Sequence, residues 1–433
     1  MKSACFSDEI ERFVDHIRSL YSSLPLVMHV MGLVNKRNKL QLDAMIRDEK
    51  VERVSDGSRT VFTVDTASRS ELNQLLKRYK GTQISHKLLP RSFVVSLVSQ
   101  FDVFLGSLMR VIYCLKPSVL FASEQNFTAS QIFGYQSIDE IKEHVIESEI
   151  ETLLRKSHAE QFDWLERKLK LELRKGLDVW PLFIEVTERR NLFVHCDGKV
   201  SSQYIRVCER HGYKIPGSVS LGYALQVDPK YFETAYSCIF EIGVKLGSVL
   251  WRKFEPNKRE QADSILNDIC YDLIMDKRYD LAINILEFAT GLPEFSGKQM
   301  EYMFIINKAQ AYKWNSDEDR CREVLGSVDW VACSDEFRLA NAVLTDRFDE
   351  AAVIMLRMGK NGSVEKNEYG EWPLFRRFRK SESFQEAYQE LFGESFESVR
   401  SEVISSNELD DGKSIDCGAN REVAVAEDTK DEE

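Results

Sequence analysis

Apolar positions recur three or four residues apart through most of the 433-residue chain, and this spacing is typical of amphipathic α-helices. The clearest stripe covers 92–114 and ends before Pro117. Another covers 180–196, with Pro181 in its first turn and Asp197-Gly198 as its stop. Strictly alternating patterns are rare, so we predict an all-α protein.

These stripes group into a helical bundle over residues 88–256. Besides 92–114 and 180–196, the pattern predicts helices over 159–175 and 230–252, and a helix start at Ser137, where Glu140 follows at capping-box spacing. The predicted result is a bundle of four or five helices, with an irregular segment around 206–227.

Residues 1–87 read differently. Two β-branched runs, 51–54 and 60–64, flank an Asp56-Gly57 step, which is a strong hairpin signal. We expect this part to be an N-terminal extension with a small α+β fold.

Residues 257–400 contain a weak internal repeat. The segment 276–282 is similar to 345–351, and Tyr279 and Phe348 stand 69 residues apart, about two tetratricopeptide lengths. A further helix pair, over 300–314 and 317–325, falls between them. The spacing predicts a module of helical hairpins like an α-solenoid.

Charge separates the last segment from the rest. Residues 401–433 hold 11 acidic and 3 basic side chains, so they carry −8 of the net charge of −12 and leave −4 for the first 400 residues. We expect this acidic tail to be disordered. Because the acidity is concentrated there, it does not argue against a nucleic-acid partner. Two basic runs, 167–175 and 376–380, are candidate RNA contacts. A solvated charged face is the more common explanation of the first, and the acidic tail is an alternative partner of the second.

The remaining composition is ordinary for a globular protein, at 43% hydrophobic and 30% charged residues. The nine cysteines are scattered without metal-ligand spacing, and the start of the chain lacks a signal-peptide core. The apolar stretch 92–109 carries Asp102 near its middle, which favours a buried helix over a membrane span. We therefore expect a cytoplasmic protein with no membrane partner, metal or cofactor.

Arg190 is the most unusual residue of the 180–196 helix. It falls on the apolar stripe of Phe183, Val186 and Val194, where a guanidinium is costly without a partner. Arg190 therefore either meets a buried carboxylate or faces a bound anion. His195, five residues later, is the side-chain type that exchanges protons near neutral pH.

Together these two residues suit cleavage of an RNA phosphodiester without a metal. A neutral imidazole takes the proton of a 2′-hydroxyl, its protonated form gives one to the leaving 5′-oxygen, and a guanidinium stabilises the phosphate. On an ideal helix, however, Arg190 and His195 are offset by about 140°, whereas Asn191 and His195 share a face. The site must therefore rely on the length of Arg190, on distortion of the helix end near Asp197-Gly198, or on a second subunit. One site assembled from two copies of the helix is the natural solution, so we expect a homodimer.

The pattern Arg190-Asn191-x-x-x-His195 near the end of a late helix resembles the RxxxxH motif of the HEPN superfamily. The resemblance covers residues 88–254. It implies an all-α domain that dimerises along the motif helices, and in many members metal-independent endoribonuclease activity in prokaryotic defence or toxin systems. It also implies catalytic roles for Arg190 and His195, an orienting role for Asn191, and an acidic residue, Asp102, that braces Arg190.

Two other interpretations remain open. His195 alone fits a structural histidine at a helix C-terminus, and Arg190 alone fits a structural ion pair with Asp102 or Glu188. The chain would then be a non-catalytic scaffold with a HEPN-like bundle and helical repeats. A toxin neutralised by a partner protein is the third possibility. In each case the repeat module is the expected contact for a protein or small-molecule regulator.

Overall fold

The structure of the chain is a computed structural model, which describes residues 5–47, 51–56, 59–65, 68–122 and 127–396. They form sixteen α-helices and one two-stranded hairpin, so the predicted predominance of helix is confirmed. The acidic tail, 401–433, lies outside the described residues, and its predicted disorder stays a prediction.

The helices are, in chain order, α1 (Phe6–Ile46), α2 (Ser68–Leu115), α3 (Ala129–Gly134), α4 (Ile138–Leu154), α5 (His158–Leu169), α6 (Trp180–His195), α7 (Ser202–Arg210), α8 (Pro229–Phe254), α9 (Arg259–Met275), α10 (Tyr279–Thr290), α11 (Lys298–Trp314), α12 (Glu318–Gly326), α13 (Asp335–Leu344), α14 (Phe348–Met358), α15 (Lys366–Glu371) and α16 (Glu382–Phe392). The strands β1 (Val51–Asp56) and β2 (Arg59–Val64) pair antiparallel, where the sequence predicts a hairpin.

The chain divides into two compact units, Met1–Val324 and Leu325–Glu433. The boundary predicted at 87/88 is wrong, because α2 runs through it as one helix of 48 residues with Pro90 in its interior. The boundary predicted at 256/257 does not separate units either, since α8 and α9 both lie in the first one.

The first half of α1 belongs to the main core and not to a separate α+β extension. The ring of Phe13 stacks on that of Phe104 of α2, with centroids 4.3 Å apart. The same ring rests on Gly243 of α8, where an added Cβ would lie 2.2 Å from it. A larger side chain at Gly243 would therefore push α1 off the bundle.

The helices α2 and α8 each contribute fifteen buried residues. Leu97, Phe101, Leu105 and Leu108 of α2 are fully buried, as their predicted stripe requires. Ser137 caps α4 by accepting a hydrogen bond from the backbone N–H of Glu140 at 3.2 Å. The helix predicted over 159–175 is too long, because α5 ends at Leu169 and Lys170 adopts a left-handed φ of 54°.

Three helical hairpins after α8 share one type of connection. Lys277, Ser316 and Asp346 follow α9, α11 and α13 and have φ of 60°, 66° and 58°. In each case the next residue donates its backbone N–H to the carbonyl five positions earlier. This common joint explains the similarity between 276–282 and 345–351. The stacking of the hairpins into a solenoid stays a prediction.

Two helices are long and apolar enough, by length and composition, to cross a membrane. The most apolar window of α2 is 50% buried inside the protein, as expected of a core helix, whereas that of α1 is 11% buried. The cytoplasmic location stays a prediction.

Candidate active site

Arg190 lies on the side of α6 that faces α2, and its guanidinium forms an ion pair with Asp102. Both side chains keep about a fifth of their surface exposed, 21% for Arg190 and 22% for Asp102. The Nη1 of Arg190 also donates to Oδ1 of Asn191 at 3.3 Å. The contact between Arg190 and Asp102 that the resemblance implies is thus present.

A histidine that sequence analysis did not single out completes this pair. Nε2 of His158 lies 3.0 Å from Oδ1 of Asp102, so the carboxylate is shared between His158 and Arg190. Ser157 begins α5 with a capping box to Glu160, and this fixes His158 as the first helical residue. Its ring is buried edge-on against Phe183, with centroids 5.6 Å apart. No local motif marks His158, because its role depends on a partner 56 residues earlier.

Glu188 adds a second carboxyl group to the cluster. It is 8% exposed, and its Oε1 accepts a hydrogen bond from Nδ2 of Asn191 at 3.3 Å. Burial raises the pKa of Glu188, and the nearby His158 and the Asn191 hydrogen bond only partly oppose this shift. Asn191 therefore connects Arg190 with a carboxyl group that protonates more readily than an ordinary glutamate.

His195 is the last residue of α6 and is exposed to solvent. Over the parts of the chain that the structure describes, its ring forms no hydrogen bond or ion pair with a side chain. Val194 beside it is 51% exposed, so the stripe that buries Phe183 and Val186 does not reach the end of the helix. Within one chain, the structure thus joins Arg190, Asn191 and Asp102 and leaves His195 outside the cluster.

The end of α6 is fixed by a tight turn at the predicted stop. Gly198 has φ of 75°, and a Cβ there would lie 3.2 Å from both the carbonyl oxygen of Leu225 and the ring of Phe193. Arg91 of α2 holds the turn by donating to the backbone carbonyls of Asp197 and Leu225 at 3.2 and 3.1 Å. His195 is therefore presented on a well-supported helix end.

The opposite side of α6 carries a buried polar network that sequence analysis missed. Glu185 is fully buried and accepts hydrogen bonds from Nε of Arg189 at 2.6 Å, from the hydroxyl of Tyr204 at 2.7 Å and from that of Tyr231 at 2.9 Å. The guanidinium of Arg189 also stacks on the Tyr231 ring, 3.7 Å from its centroid. Burial and then the charge of Glu185 raise the pKa of both tyrosines. This network attaches α7 and α8 to α6.

Several side chains of the two basic runs noted in the sequence form contacts inside the protein. Arg174 pairs with Asp163 and Glu166, and Lys175 pairs with Glu172 at 2.9 Å. In the second run, Arg379 donates to the backbone carbonyls of Tyr369 and Trp372, both at 3.0 Å, and Phe378 is buried. Arg174 and Lys175 of the first run and Arg379 of the second are thus held by contacts within the protein.

Two cavities of about 890 and 600 Å³ adjoin α8 and α10, and neither is lined by Arg190 or His195. Among the residues that the structure describes, no three His, Cys, Asp or Glu side chains are grouped as a metal site would require.

Comparisons with protein-family models, curated proteins and solved structures returned no match.

Proposed function

We propose that this protein is a metal-independent endoribonuclease of the HEPN type whose site is completed by a second copy of the chain. The observation that supports the proposal best concerns α6: its Arg190 forms an ion pair with Asp102 of α2, and the same helix presents an exposed histidine, His195, at its end. The histidine is free to act as general base and acid, and the guanidinium is already oriented by a carboxylate.

The offset between the two residues supports a composite site. Arg190 points to α2, whereas His195 projects into solvent beyond the reach of the Arg190 cluster's hydrogen bonds. If two α6 helices pack against each other, His195 of one copy can face Arg190 of the other. The 2′-hydroxyl would lose its proton to the imidazole of His195, and the guanidinium would stabilise the charge that develops on the phosphate. The same imidazole, now protonated, would give the proton to the leaving 5′-oxygen.

The biological setting is part of the same proposal. Activity in prokaryotic defence or in a toxin system follows from the family resemblance, and the helical hairpins after α8 are the proposed contact for a regulator. In the toxin version, a partner protein would cover the site until a signal removes it.

The alternative function is a non-catalytic scaffold. It is favoured by the extent to which Arg190 is already engaged, since Asp102 and Asn191 both accept hydrogen bonds from its guanidinium. An arginine held in this way is also what a structural ion pair requires.

The test uses the purified full chain with mixed RNA in EDTA. We expect products that end in a 2′,3′-cyclic phosphate, and a loss of about 10²- to 10⁴-fold in rate for His195→Ala. Arg190→Ala should lose activity similarly. His29→Ala is the matched control, because His29 is another exposed helical histidine and lies on α1. Cleavage that EDTA abolishes, or that survives both substitutions, contradicts the mechanism.

Mixing the two inactive variants tests the composite site directly. A mixed dimer keeps one intact Arg190 and one intact His195 on different chains, so a site built from two copies regains part of the activity. If each chain uses its own pair, the mixture stays inactive. A folded, dimeric wild-type protein that cleaves no RNA favours the scaffold.

A further inference from the structure

The far halves of α1 and α2 form a two-helix arm, residues 25–46 and 68–89, that contributes little to the core. Its buried residues are Leu42, Leu72 and Leu75, which pack together between the two helices. Asn35 crosses the same interface by accepting hydrogen bonds from Nε2 of Gln83 at 2.9 Å and from Oγ1 of Thr82 at 3.2 Å. These contacts place residues 36–41 of α1 beside residues 76–81 of α2.

Six basic residues lie in this stretch of the arm, where the two segments are side by side. They are Lys36, Arg37, Lys39, Lys77, Arg78 and Lys80. We call them the basic belt. All six are exposed, and within the described residues none of the six side chains forms an ion pair or a side-chain hydrogen bond. The arm as a whole holds eight basic residues against Asp43 and Glu71, a net charge of +6 in a chain of −12.

The belt extends around both helices of the arm. Arg37 follows Asn35, which bonds to α2, by two residues, and two residues of helix turn about 200°. Arg37 thus lies on the outer face of α1. By the same step, Lys77 lies opposite Leu75, on the outer face of α2. The two outer faces of a helix pair are on the order of 20 Å apart.

We infer that the basic belt is a binding site for single-stranded RNA, through its phosphates. The inference rests on the proposed function and identifies how that function would recruit its substrate. Unpaired lysines and arginines bind phosphates by releasing counterions, and they need no particular base sequence. A flexible single-stranded RNA can contact basic residues on both outer faces of the helix pair, whereas a flat membrane surface contacts only one of these faces.

That geometry favours RNA over an anionic membrane. The exposed aliphatic side chains of α1, Leu26, Val30, Leu33 and Leu40, lie on its outer face together with Arg37. A bilayer touching this face would leave Lys77 on the far side of the arm. It therefore accounts for only part of the belt.

The experiment measures binding of a fluorescein-labelled single-stranded oligoribonucleotide of mixed sequence by anisotropy, in EDTA and at several salt concentrations. All proteins are full-length and carry His195→Ala, so that cleavage does not interfere. In the belt variant the six residues become glutamine. We expect at least a tenfold loss of affinity at about 0.1 M salt, and a log–log salt slope shallower by about 4, since each phosphate contact on a single strand contributes about 0.7.

A control variant removes the same number of lysines and arginines from exposed positions off the arm. Its glutamines replace Lys142, Arg155, Lys175, Arg210, Lys214 and Lys230. Net charge is thus equal in the two variants, and the control should keep the wild-type salt slope. Circular dichroism of both variants confirms that they are folded. Equal affinity and slope for belt variant and wild type overturn the inference, as does an equal loss in the control.

Vesicles of phosphatidylcholine and phosphatidylserine in equal parts provide the competing partner. If the belt substitutions abolish vesicle binding and leave RNA binding unchanged, the inference is overturned. The outcome is separable from that of the nuclease proposal. If the belt binds RNA but the protein cleaves none, the inference about the belt holds and the nuclease proposal is contradicted. If the protein cleaves RNA and the belt substitutions do not change RNA binding, the nuclease proposal holds and the inference is overturned.

Discussion

Arg189 and Arg190 are neighbours on α6, yet they lie in opposite kinds of surroundings. Arg189 is held by the fully buried Glu185, covered by the ring of Tyr231, and donates to the carbonyl of Gln226 at 3.3 Å. Arg190 shares its carboxylate, Asp102, with His158 and keeps 21% of its side chain exposed. One arginine is enclosed in a closed network, and the other borders solvent.

The difference separates a structural arginine from a candidate functional one. The guanidinium of Arg189 donates through Nε to Glu185 and through Nη1 to the carbonyl of Gln226, and its side chain is only 11% exposed. The side chain of Arg190 is 21% exposed, so its guanidinium borders solvent, as a guanidinium that binds a phosphate must. The comparison predicts that stability depends mainly on the first site and activity on the second.

The largest expected effect on stability is that of Glu185→Ala. It leaves Arg189 and the hydroxyls of Tyr204 and Tyr231 without their shared acceptor in a buried place. Removing one partner of a buried ion pair costs about 3–5 kcal/mol in the free energy of unfolding. Urea denaturation followed by circular dichroism measures it, with the exposed Glu209→Ala on α7 as control. A loss below about 1 kcal/mol would show that the network is not structural.

The sequence predicts a contact of this site when the two residues involved are close together along the chain, and it misses contacts with distant helices. The stop of α6 at Asp197-Gly198 is a local signal and is confirmed. The link between Arg190 and Asp102 came from the resemblance, and the structure contains it. Glu185 and Arg189, four residues apart, look like an ordinary surface pair, because nothing local shows that α7 and α8 cover them.

The same reasoning explains the errors in the fold and the missed belt. The helix predicted over 92–114 is part of a longer one, because α2 begins at Ser68 and the N–H that Pro90 lacks does not end it. The belt combines 36–39 with 77–80, two short runs that become one surface only when α1 and α2 pair. Helical periodicity predicts the apolar and polar faces of single helices, but it does not predict which helices pack against each other.

A smaller effect on stability is expected for Arg190→Ala. Asp102 keeps His158 as a partner, and the pair is partly exposed, so solvent screens the loss. We expect a decrease of about 1–2 kcal/mol in the free energy of unfolding, together with the loss of RNA cleavage. Arg190→Lys keeps the charge without the forked geometry and should regain more stability than activity. A destabilisation as large as that of Glu185→Ala would break the comparison and favour the scaffold.

The smallest effect is a pH-dependent one at Glu188, which lies beside Arg190. Burial raises the pKa of Glu188 above its ordinary value of 4.5, so the folded protein binds this proton more readily than the unfolded chain does. Stability from this group is therefore fully present below pH 4.5 and is lost as pH rises through the higher pKa of the folded state. Glu188→Gln removes the unfavourable charge and still offers an oxygen to Asn191. The variant should be more stable than wild type at pH 7, by less than either change above, and the gap should close as the pH falls below 4.5. Thermal unfolding at a series of pH values measures the gap, with Glu209→Gln as control. A variant less stable than wild type at pH 7 would mean that Arg190 and His158 need the charge of Glu188, and the cluster would then have to be treated as one ionised unit.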